Sequence, residues 1–202
     1  ERLWQSCTDV AVLDPAAGRL VTAAWEPDTG PFATGHAGVA VLDVALPSKP
    51  ALAGAVNLRG NPNDFARDAD TVWIADGWYR GNALYGPRIV DIADERRPMQ
   101  TVRIPSSWQH YPPNISQTFW TADGAALDGG AFFLLAHNFA RYDRTAPRTA
   151  PTTAGVYGSP GRMAIIGGQA LFTSYGHATG ELFAYSLHPA PAMAAVAVFP
   201  DT

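Results

Sequence analysis

The chain alternates short apolar runs with chain-breaking residues from one end to the other. Runs rich in Val, Ile, Leu, Phe, Tyr and Ala are bounded every few positions by Gly, Pro, Asp or Asn. No stretch keeps a helical period of about 3.6 residues over ten positions without a breaker. The pattern therefore predicts an all-β chain with little helix.

Four units repeat the same succession of four apolar runs. The first runs are Asp9–Leu13, Asp64–Asp68, Thr118–Ala122 and Arg162–Ile166. In each unit a second run follows a turn, a third follows a loop of variable length, and a fourth follows a further turn that usually contains proline. Four strands per unit at a period of about 40 to 55 residues favour β-propeller blades over a β-sandwich. We predict four blades at about 7–58, 62–104, 116–157 and 160–199, forming a propeller, or an arc or fragment of a larger ring.

Two turns between a third and a fourth run make the pattern more specific. Segments 39–54 (VAVLDVALPSKPALAG) and 88–102 (RIVDIADERRPMQTV) place a V-x-D-[VI]-type strand before a short turn and a proline. Segment 70–77 (DTVWIADG) follows the next inner strand. These features resemble the LVIVD repeat of β-propellers, and the likeness covers residues 38–104. The resemblance implies an exported bacterial propeller, often part of a larger surface protein, with no fixed catalytic residues.

A second resemblance rests on one segment of the third unit. Residues 132–143 (FFLLAHNFARYD) are similar to the F-F-x-G-x-x-[YF]-W-R-[YF]-D core of hemopexin-type repeats, whose domains have four blades. Ala140 occupies the tryptophan position of that pattern. The terminal disulfide of that family needs a second cysteine, and Cys7 is the only one in the chain.

Composition excludes several classes of function. The 202 residues carry a net charge of −4, and Lys49 is the only lysine. Such a chain offers no basic face for nucleic acid and no phosphate-binding loop of the GxxxxGK type. Residues 182–200 lack formal charge, but His188 and two prolines interrupt them, so we do not expect a membrane-spanning segment. Because the chain begins at Glu1 without a leader, we expect a processed protein or a piece of a longer one.

One face of a propeller collects the loops between second and third strands and the loops between blades. Applied here, that rule gathers most of the aromatic and ionisable loop residues on one face. Its proposed binding residues are Trp25, Trp78, Tyr79, Trp108, Tyr111, Asp76 and Arg80. Exposed aromatic rings fill partner pockets or stack on sugars, so this face predicts a non-catalytic site for another protein or a surface carbohydrate polymer. The resemblance to LVIVD-repeat propellers implies that this binding takes place outside the cytoplasm.

The alternative hypothesis uses histidines of the same face. His36, His110, His137 and His177 supply imidazole ligands for a divalent metal, or bases for lyase chemistry together with Asp76 and Arg80. No HxH, HxxxH or HExxH pair occurs, and no GxSxG elbow. We therefore expect a binding protein rather than an enzyme, and we predict no cofactor, with a divalent metal as the alternative.

The opposite face and the ends of the repeat array carry two further expectations. Asp43 and Asp91 lie in third strands, where a carboxylate accepts backbone N–H bonds from the next turn. The fourth unit has its own outer strand at 194–199, so residues 1–5 resemble the tail of a preceding blade. An open array leaves its two end blades uncovered, and we expect flanking chain or a partner chain against units one and four.

Overall fold

The protein is an all-β chain built from four small antiparallel sheets. The computed structural model describes residues 6–25, 36–59, 62–76, 79–80, 83–84, 87–104, 124–135, 138–156, 159–175 and 180–199, and all regular elements in these ranges are strands. Each main sheet has four strands in a meander, which we call A, B, C and D from the first to the last. The predicted all-β propeller architecture is confirmed.

The first two blades occupy residues 6–103. Blade 1 consists of β1 (Ser6–Asp14), β2 (Arg19–Trp25), β3 (His36–Asp43) and β4 (Ala51–Arg59). Blade 2 consists of β5 (Pro62–Asp68), β6 (Thr71–Asp76), β9 (Arg88–Asp91) and β10 (Met99–Arg103). A separate two-stranded hairpin, β7 (Tyr79–Arg80) and β8 (Ala83–Leu84), is inserted between the B and C strands of blade 2.

The last two blades repeat the same order. Blade 3 consists of β11 (Gly124–Asp128), β12 (Ala131–Leu135), β13 (Asn138–Asp143) and β14 (Thr152–Gly155). Blade 4 consists of β15 (Ser159–Ile166), β16 (Gln169–Tyr175), β17 (Gly180–Ser186) and β18 (Ala192–Phe199). All neighbouring strands pair antiparallel.

The A strand of blade 3 lies at a different place from the one that the sequence pattern predicted. The pattern favoured the aromatic run Thr118–Ala122, which lies outside the described residues, whereas the strand paired with β12 is Gly124–Asp128. An A strand must fit between the A strands of both neighbouring blades. A Cβ at Gly124 would lie 3.1 Å from the Cβ of Met163 in blade 4. This strand therefore needs small residues where it approaches its neighbours. A search for runs of large hydrophobic residues did not detect such a strand.

Three hydrophobic cores hold the blades together, and each is shared by two neighbours. Alternate residues of a strand face opposite sides of a sheet, so one strand serves two cores. In β6, Val72 and Ile74 pack in the core between blades 1 and 2, while Trp73 and Ala75 pack in the core between blades 2 and 3. The core between blades 3 and 4 is the most aromatic. It contains Phe133, Phe139, Phe172, Phe183 and Tyr185.

Within the described ranges the four blades form an arc. The A strands of successive blades pack side by side, β1 on β5, β5 on β11 and β11 on β15. Within the described ranges no comparable packing joins a strand of blade 4 to a strand of blade 1, and no buried cluster spans those two blades. Among the described residues, blades 2 and 3 thus contribute to two cores each, and blades 1 and 4 to one.

Candidate functional site

The meander gives each blade two different edges. A–B hairpins and C–D turns meet at one edge, which we call the turn edge. B–C connections and the links between blades meet at the other, which we call the loop edge. Because the four blades pack with their A strands side by side, the four turn edges lie on one face of the arc and the four loop edges on the other.

The loop edge receives the residues that the sequence selected for binding. Trp25 ends β2 opposite Ser6, and Asp76 ends β6 opposite Pro62, so their backbones lie at this edge. Tyr79 and Arg80 form β7, opposite Leu84 and Ala83. Side chains of these four residues are not described. Trp78, Trp108 and Tyr111 lie outside the described residues.

The candidate metal ligands fall in the same region. His36 begins β3 opposite Arg59, which places its backbone at the loop edge. His110, His137 and His177 lie outside the described residues, so their distances from His36 are not part of this structure. Among the residues that are described, no group of three or more His, Cys, Asp or Glu side chains is arranged to hold a metal ion.

The two edges differ in the length of their connections. At the turn edge the A–B hairpins close over two to four residues, as at 69–70 and 129–130, and the C–D turns over five to eight. At the loop edge three connections are long: β2 and β3 are separated by residues 26–35, β6 and β9 by 77–87, and β10 and β11 by 104–123. The other four loop-edge connections, at 60–61, 136–137, 156–158 and 176–179, have two to four residues. Long connections on a rigid scaffold are where binding residues concentrate. The small β7–β8 hairpin belongs to the second of these connections.

Local hydrogen bonds occupy the polar groups of the turn edge. The carboxylates of Asp43, Asp91 and Asp143 each accept the backbone N–H two residues later, at 2.8 to 3.0 Å. The structural role predicted for Asp43 and Asp91 is confirmed. In blade 4 Ser186 replaces the aspartate, and its hydroxyl donates to the carbonyl of His188 instead.

These bonds shift the ionisation of the turn residues. The backbone N–H of Ala45, then the side chain of Arg19, hold the pKa of Asp43 below its usual value. The hydroxyl and backbone N–H of Thr145 lower the pKa of Asp143 in the same way. Arg19 has a raised pKa, chiefly because its guanidinium bonds Asp43. The charged side chains at this edge therefore stabilise the turns through hydrogen bonds and ion pairs.

Polar side chains join the turn edges at each described junction between blades, through ion pairs at two junctions and a carboxylate–imidazole contact at the third. Arg19 Nε of blade 1 lies 3.0 Å from Glu95 Oε2 of blade 2. Asp68 of blade 2 pairs with Arg144 of blade 3, and Asp128 of blade 3 lies 3.3 Å from His188 of blade 4. In each case the A–B hairpin of one blade contacts the C–D turn of the next. The sequence showed only mixed charges here and no pairing.

Arg144 makes the most extensive of these junctions. Besides Asp68, its guanidinium donates to the carbonyl of Gly129 at 3.0 Å and lies 5.8 Å from the ring centroid of Trp73. Its backbone N–H donates to the carbonyl of Gly130. The same backbone bond, from the residue after the C strand to the A–B hairpin, recurs in the other blades at Val44, Ile92 and Leu187.

One buried carboxylate ties two A strands together. Asp64 is 9% exposed, and its two oxygens accept the backbone N–H groups of Phe65 and of Ala125, at 2.9 and 2.7 Å. Ala125 belongs to the next blade. Both hydrogen bonds therefore stabilise the strands and the packing of blade 2 against blade 3. The sequence gave no signal for this role beyond an aspartate inside a predicted strand.

The fold is that of β-propeller proteins. One structural neighbour is a chain from a nidogen/laminin complex, with a TM-score of 0.62, 11% identity, and coverage of 96% of this chain and 64% of that chain. A second is a 6-phosphogluconolactonase-like protein of Bacteroides uniformis, with a TM-score of 0.64, 15% identity, and coverage of 96% and 57%. A third is the periplasmic gluconolactonase of Pseudomonas aeruginosa, with a TM-score of 0.65, 10% identity, and coverage of 94% and 56%.

These likenesses establish the fold and nothing finer. This chain spans less than two thirds of the length of each of the three neighbours. No protein-family model and no curated protein matches the sequence. Among the described residues, no helix has the length and apolar character to cross a membrane.

Proposed function

We propose that the protein is a non-catalytic binding platform that uses its loop edge to hold another protein or a surface polymer. The observation that carries this proposal is the asymmetry of the two edges. Short turns at the turn edge are closed by their own hydrogen bonds and ion pairs, whereas the long connections leave from the loop edge. Three shared cores keep the blades in fixed positions, so the connections start from a preorganised base.

The residue types at the loop edge support a binding role. Trp25 and Tyr79 combine a large apolar area with one polar group, which suits protein pockets and sugar rings. Arg80 adds a planar cation beside Tyr79 in β7. The proposed setting is extracytoplasmic, in keeping with the LVIVD-type segments 39–54 and 88–102. A nidogen/laminin complex and a periplasmic enzyme among the fold neighbours are compatible with that setting.

The test compares matched substitutions at the two edges. Purified chain is screened on an array of surface glycans and, in parallel, against purified envelope proteins, and each hit is titrated by calorimetry. Tyr79→Ala and Arg80→Ala should each weaken binding at least about tenfold, or about 1.4 kcal/mol. The control is Met99→Ala, because Met99 is 60% exposed at the turn end of β10. Equal losses in the control and the loop-edge variants would overturn the proposal.

The catalytic alternative has its own readouts. Stoichiometric metal that is lost on His36→Ala and His177→Ala would replace the platform with a metal site. Hydrolysis of gluconolactone by the wild-type chain would replace it with an enzyme of the kind that two fold neighbours are named for. We expect neither.

A further inference from the structure

Arginines lie at several strand ends of the loop edge in blades 1 and 2. Arg59 is the last residue of β4, Arg88 is the first of β9, and Arg103 is the last of β10. Arg80 lies in the small β7–β8 hairpin, which is inserted into the same edge of blade 2. Four separate elements therefore each bring one cation to the loop edge of two neighbouring blades.

The strand register places two of these arginines directly opposite each other. Arg88 pairs with Arg103 across β9 and β10. In blade 1, Arg59 pairs in the same way with His36, whose imidazole becomes a second cation when it is protonated. Like charges at opposed positions of a sheet repel, so such pairs are more stable when an anion lies nearby.

Blades 3 and 4 lack these cations at the described loop-edge ends of their C and D strands. Their C strands begin with Asn138 and Gly180, and the D-strand partners of these residues are Gly155 and Phe199. None of the four carries a charge. Among the C and D strands that the structure describes, the cationic ends therefore belong to blades 1 and 2.

Carboxylates balance the arginines of blade 2 only in part. Among its described residues near the loop edge, the carboxylates are those of Asp76 at the end of β6 and Asp64 near the start of β5. The oxygens of Asp64 already accept two backbone N–H groups. The sequences of the connections 77–87 and 104–122 contain no Asp or Glu, whereas the connection 26–35 of blade 1 contains two. The positive excess therefore lies at blade 2, on a chain whose net charge is −4.

Burial of Arg88 increases the range over which its charge acts. The residue is 3% exposed, and its Nη1 donates to Gln100 Oε1 at 3.3 Å. Solvent and salt screen a buried charge much less than an exposed one. Arg88 therefore adds to the positive potential at the loop edge of blade 2, even though it is not itself at the surface.

We propose that the ligand of the loop edge is a carboxylate-bearing polysaccharide, a polyuronate, bound at blade 2 and the adjoining Arg59 of blade 1. A guanidinium group matches a carboxylate with two parallel hydrogen bonds. A polyuronate repeats one carboxylate per sugar ring, which suits cations that are spread over four elements. Tyr79, next to Arg80 in β7, supplies an aromatic ring of the kind that stacks on sugars. This inference rests on the binding role proposed for the loop edge.

Calorimetric titration with polygalacturonate tests the need for charge. The purified chain should bind this polymer. Its methyl ester keeps the sugar rings but loses the charge, so the ester should bind at least about tenfold more weakly. Raising sodium chloride from about 50 to about 200 mM should weaken binding of the charged polymer. An ester that binds as tightly as the acid would overturn the inference and leave a platform for a neutral ligand.

Arginine variants locate the binding site. Arg59→Gln and Arg103→Gln should each raise the dissociation constant for polygalacturonate at least about fivefold, because each removes one cation. Arg103→Lys keeps the charge and should bind more tightly than Arg103→Gln. The matched control is Arg148→Gln, since Arg148 is exposed in the C–D turn of blade 3 at the turn edge, and it should bind like the wild type. Circular dichroism verifies that each variant is folded.

The outcomes separate this inference from the proposed function. A wild-type chain that binds no polygalacturonate would overturn the polyuronate ligand, and so would an acidic protein bound in its place through Arg59 and Arg103. Either result would leave the loop-edge platform intact. Equal binding by Arg103→Lys and Arg103→Gln would show that charge at this position is not what holds the polymer, which also contradicts the inference. Equal losses in Arg148→Gln and the loop-edge variants would overturn both proposals.

Discussion

Aspartates of the turn edge illustrate how one residue type serves the scaffold. Asp43 closes the C–D turn of blade 1 through the Ala45 N–H and pairs with Arg19 across the strands. Arg19 in turn reaches Glu95 of the next blade. The carboxylate therefore couples a turn within a blade to a junction between blades.

Acid should reduce the contribution of Asp43 to the free energy of unfolding. Its folded-state pKa is lowered, so its stabilising effect is present above the unfolded value of about 3.9 and is lost as the pH falls through the folded value. Asp43→Asn keeps a carbonyl oxygen for Ala45 but removes the charge opposite Arg19. The free energy of unfolding is measured in urea at pH 7 and at pH 3. Variant and wild type should differ at pH 7, and the difference should be smaller at pH 3. A difference that stays constant with pH would contradict this role.

The buried carboxylate of Asp64 should contribute more to the free energy of unfolding than the exposed carboxylates do. Asp64→Asn replaces one acceptor oxygen by an amide donor, which then faces a backbone N–H of Phe65 or Ala125. Leaving such a buried group unsatisfied costs about 1–3 kcal/mol, so the urea midpoint should fall accordingly. The matched control is Asp70→Asn in an exposed hairpin, which should change stability by less than about 0.5 kcal/mol. An Asp64→Asn variant as stable as the control would show that the tie between blades 2 and 3 is dispensable.

Single residues also show where sequence reasoning stops. The position of Asp43 and Asp91 in a strand next to a turn predicted their hydrogen bonds to that turn, because those bonds are local. Pairs such as Asp68 with Arg144, or Asp64 with Ala125, join residues 76 and 61 positions apart. Their partners depend on how blades pack, and a repeat pattern contains that information only as an average.

At the scale of elements, the D strand of blade 1 depends on a close approach between blades. Gly54 of β4 is buried, and a Cβ placed there would overlap the carbonyl oxygen of Glu95 and the backbone of Arg96. These are backbone atoms of the next blade's C–D turn, so they cannot rotate away as a flexible side chain would. The glycine lets the two blades meet.

Gly54→Ala should therefore destabilise the chain, at the upper end of the range of about 1–3 kcal/mol for overpacked sites. Gly155→Ala provides the control, since Gly155 lies in the D strand of blade 3 and its added Cβ meets nothing within 4 Å. That control should be neutral or stabilise by about 0.4–1 kcal/mol through the unfolded state. Thermal and urea unfolding of both variants give the comparison, and equal effects would argue against close packing at Gly54.

Elements were predicted well where the apolar alternation was strong. The predicted first runs Asp9–Leu13, Asp64–Asp68 and Arg162–Ile166 lie within β1, β5 and β15. The prediction for the A strand of blade 3 was wrong. Strand β11 consists mostly of small residues, and the aromatic residues before it gave a stronger hydrophobic signal. The β7–β8 hairpin was not predicted, since strands of two residues leave no period to detect.

At the scale of the whole molecule, repetition in the sequence predicted the propeller fold, because each blade repeats one hydrophobic pattern. For the candidate site, the sequence predicted which edge of the blades it occupies but not how its side chains are arranged. Topology places Trp25, His36, Asp76, Tyr79 and Arg80 at the loop edge, as the propeller rule required. Which of their side chains act together depends on long connections that carry no repeat.

The arc is held by cores shared between neighbours, so stability should depend on the number of neighbours a blade has. In the part of the chain that the structure describes, blades 2 and 3 each contribute to two cores, and blades 1 and 4 each contribute to one. In a stacked array of this kind, the free energy of local opening follows these nearest-neighbour contacts. A ring closed within one chain would instead give all four blades two neighbours.

Native-state hydrogen exchange tests this open arc most directly. Amide exchange of the purified chain is measured by mass spectrometry in increasing denaturant. We predict that the B and C strands of blades 2 and 3, such as Thr71–Asp76 and Ala131–Leu135, require the highest free energy of opening, and that β2, β3, β16 and β17 open at lower free energy. Equal protection in all four blades, or the strongest protection in blade 1 or blade 4, would contradict the account.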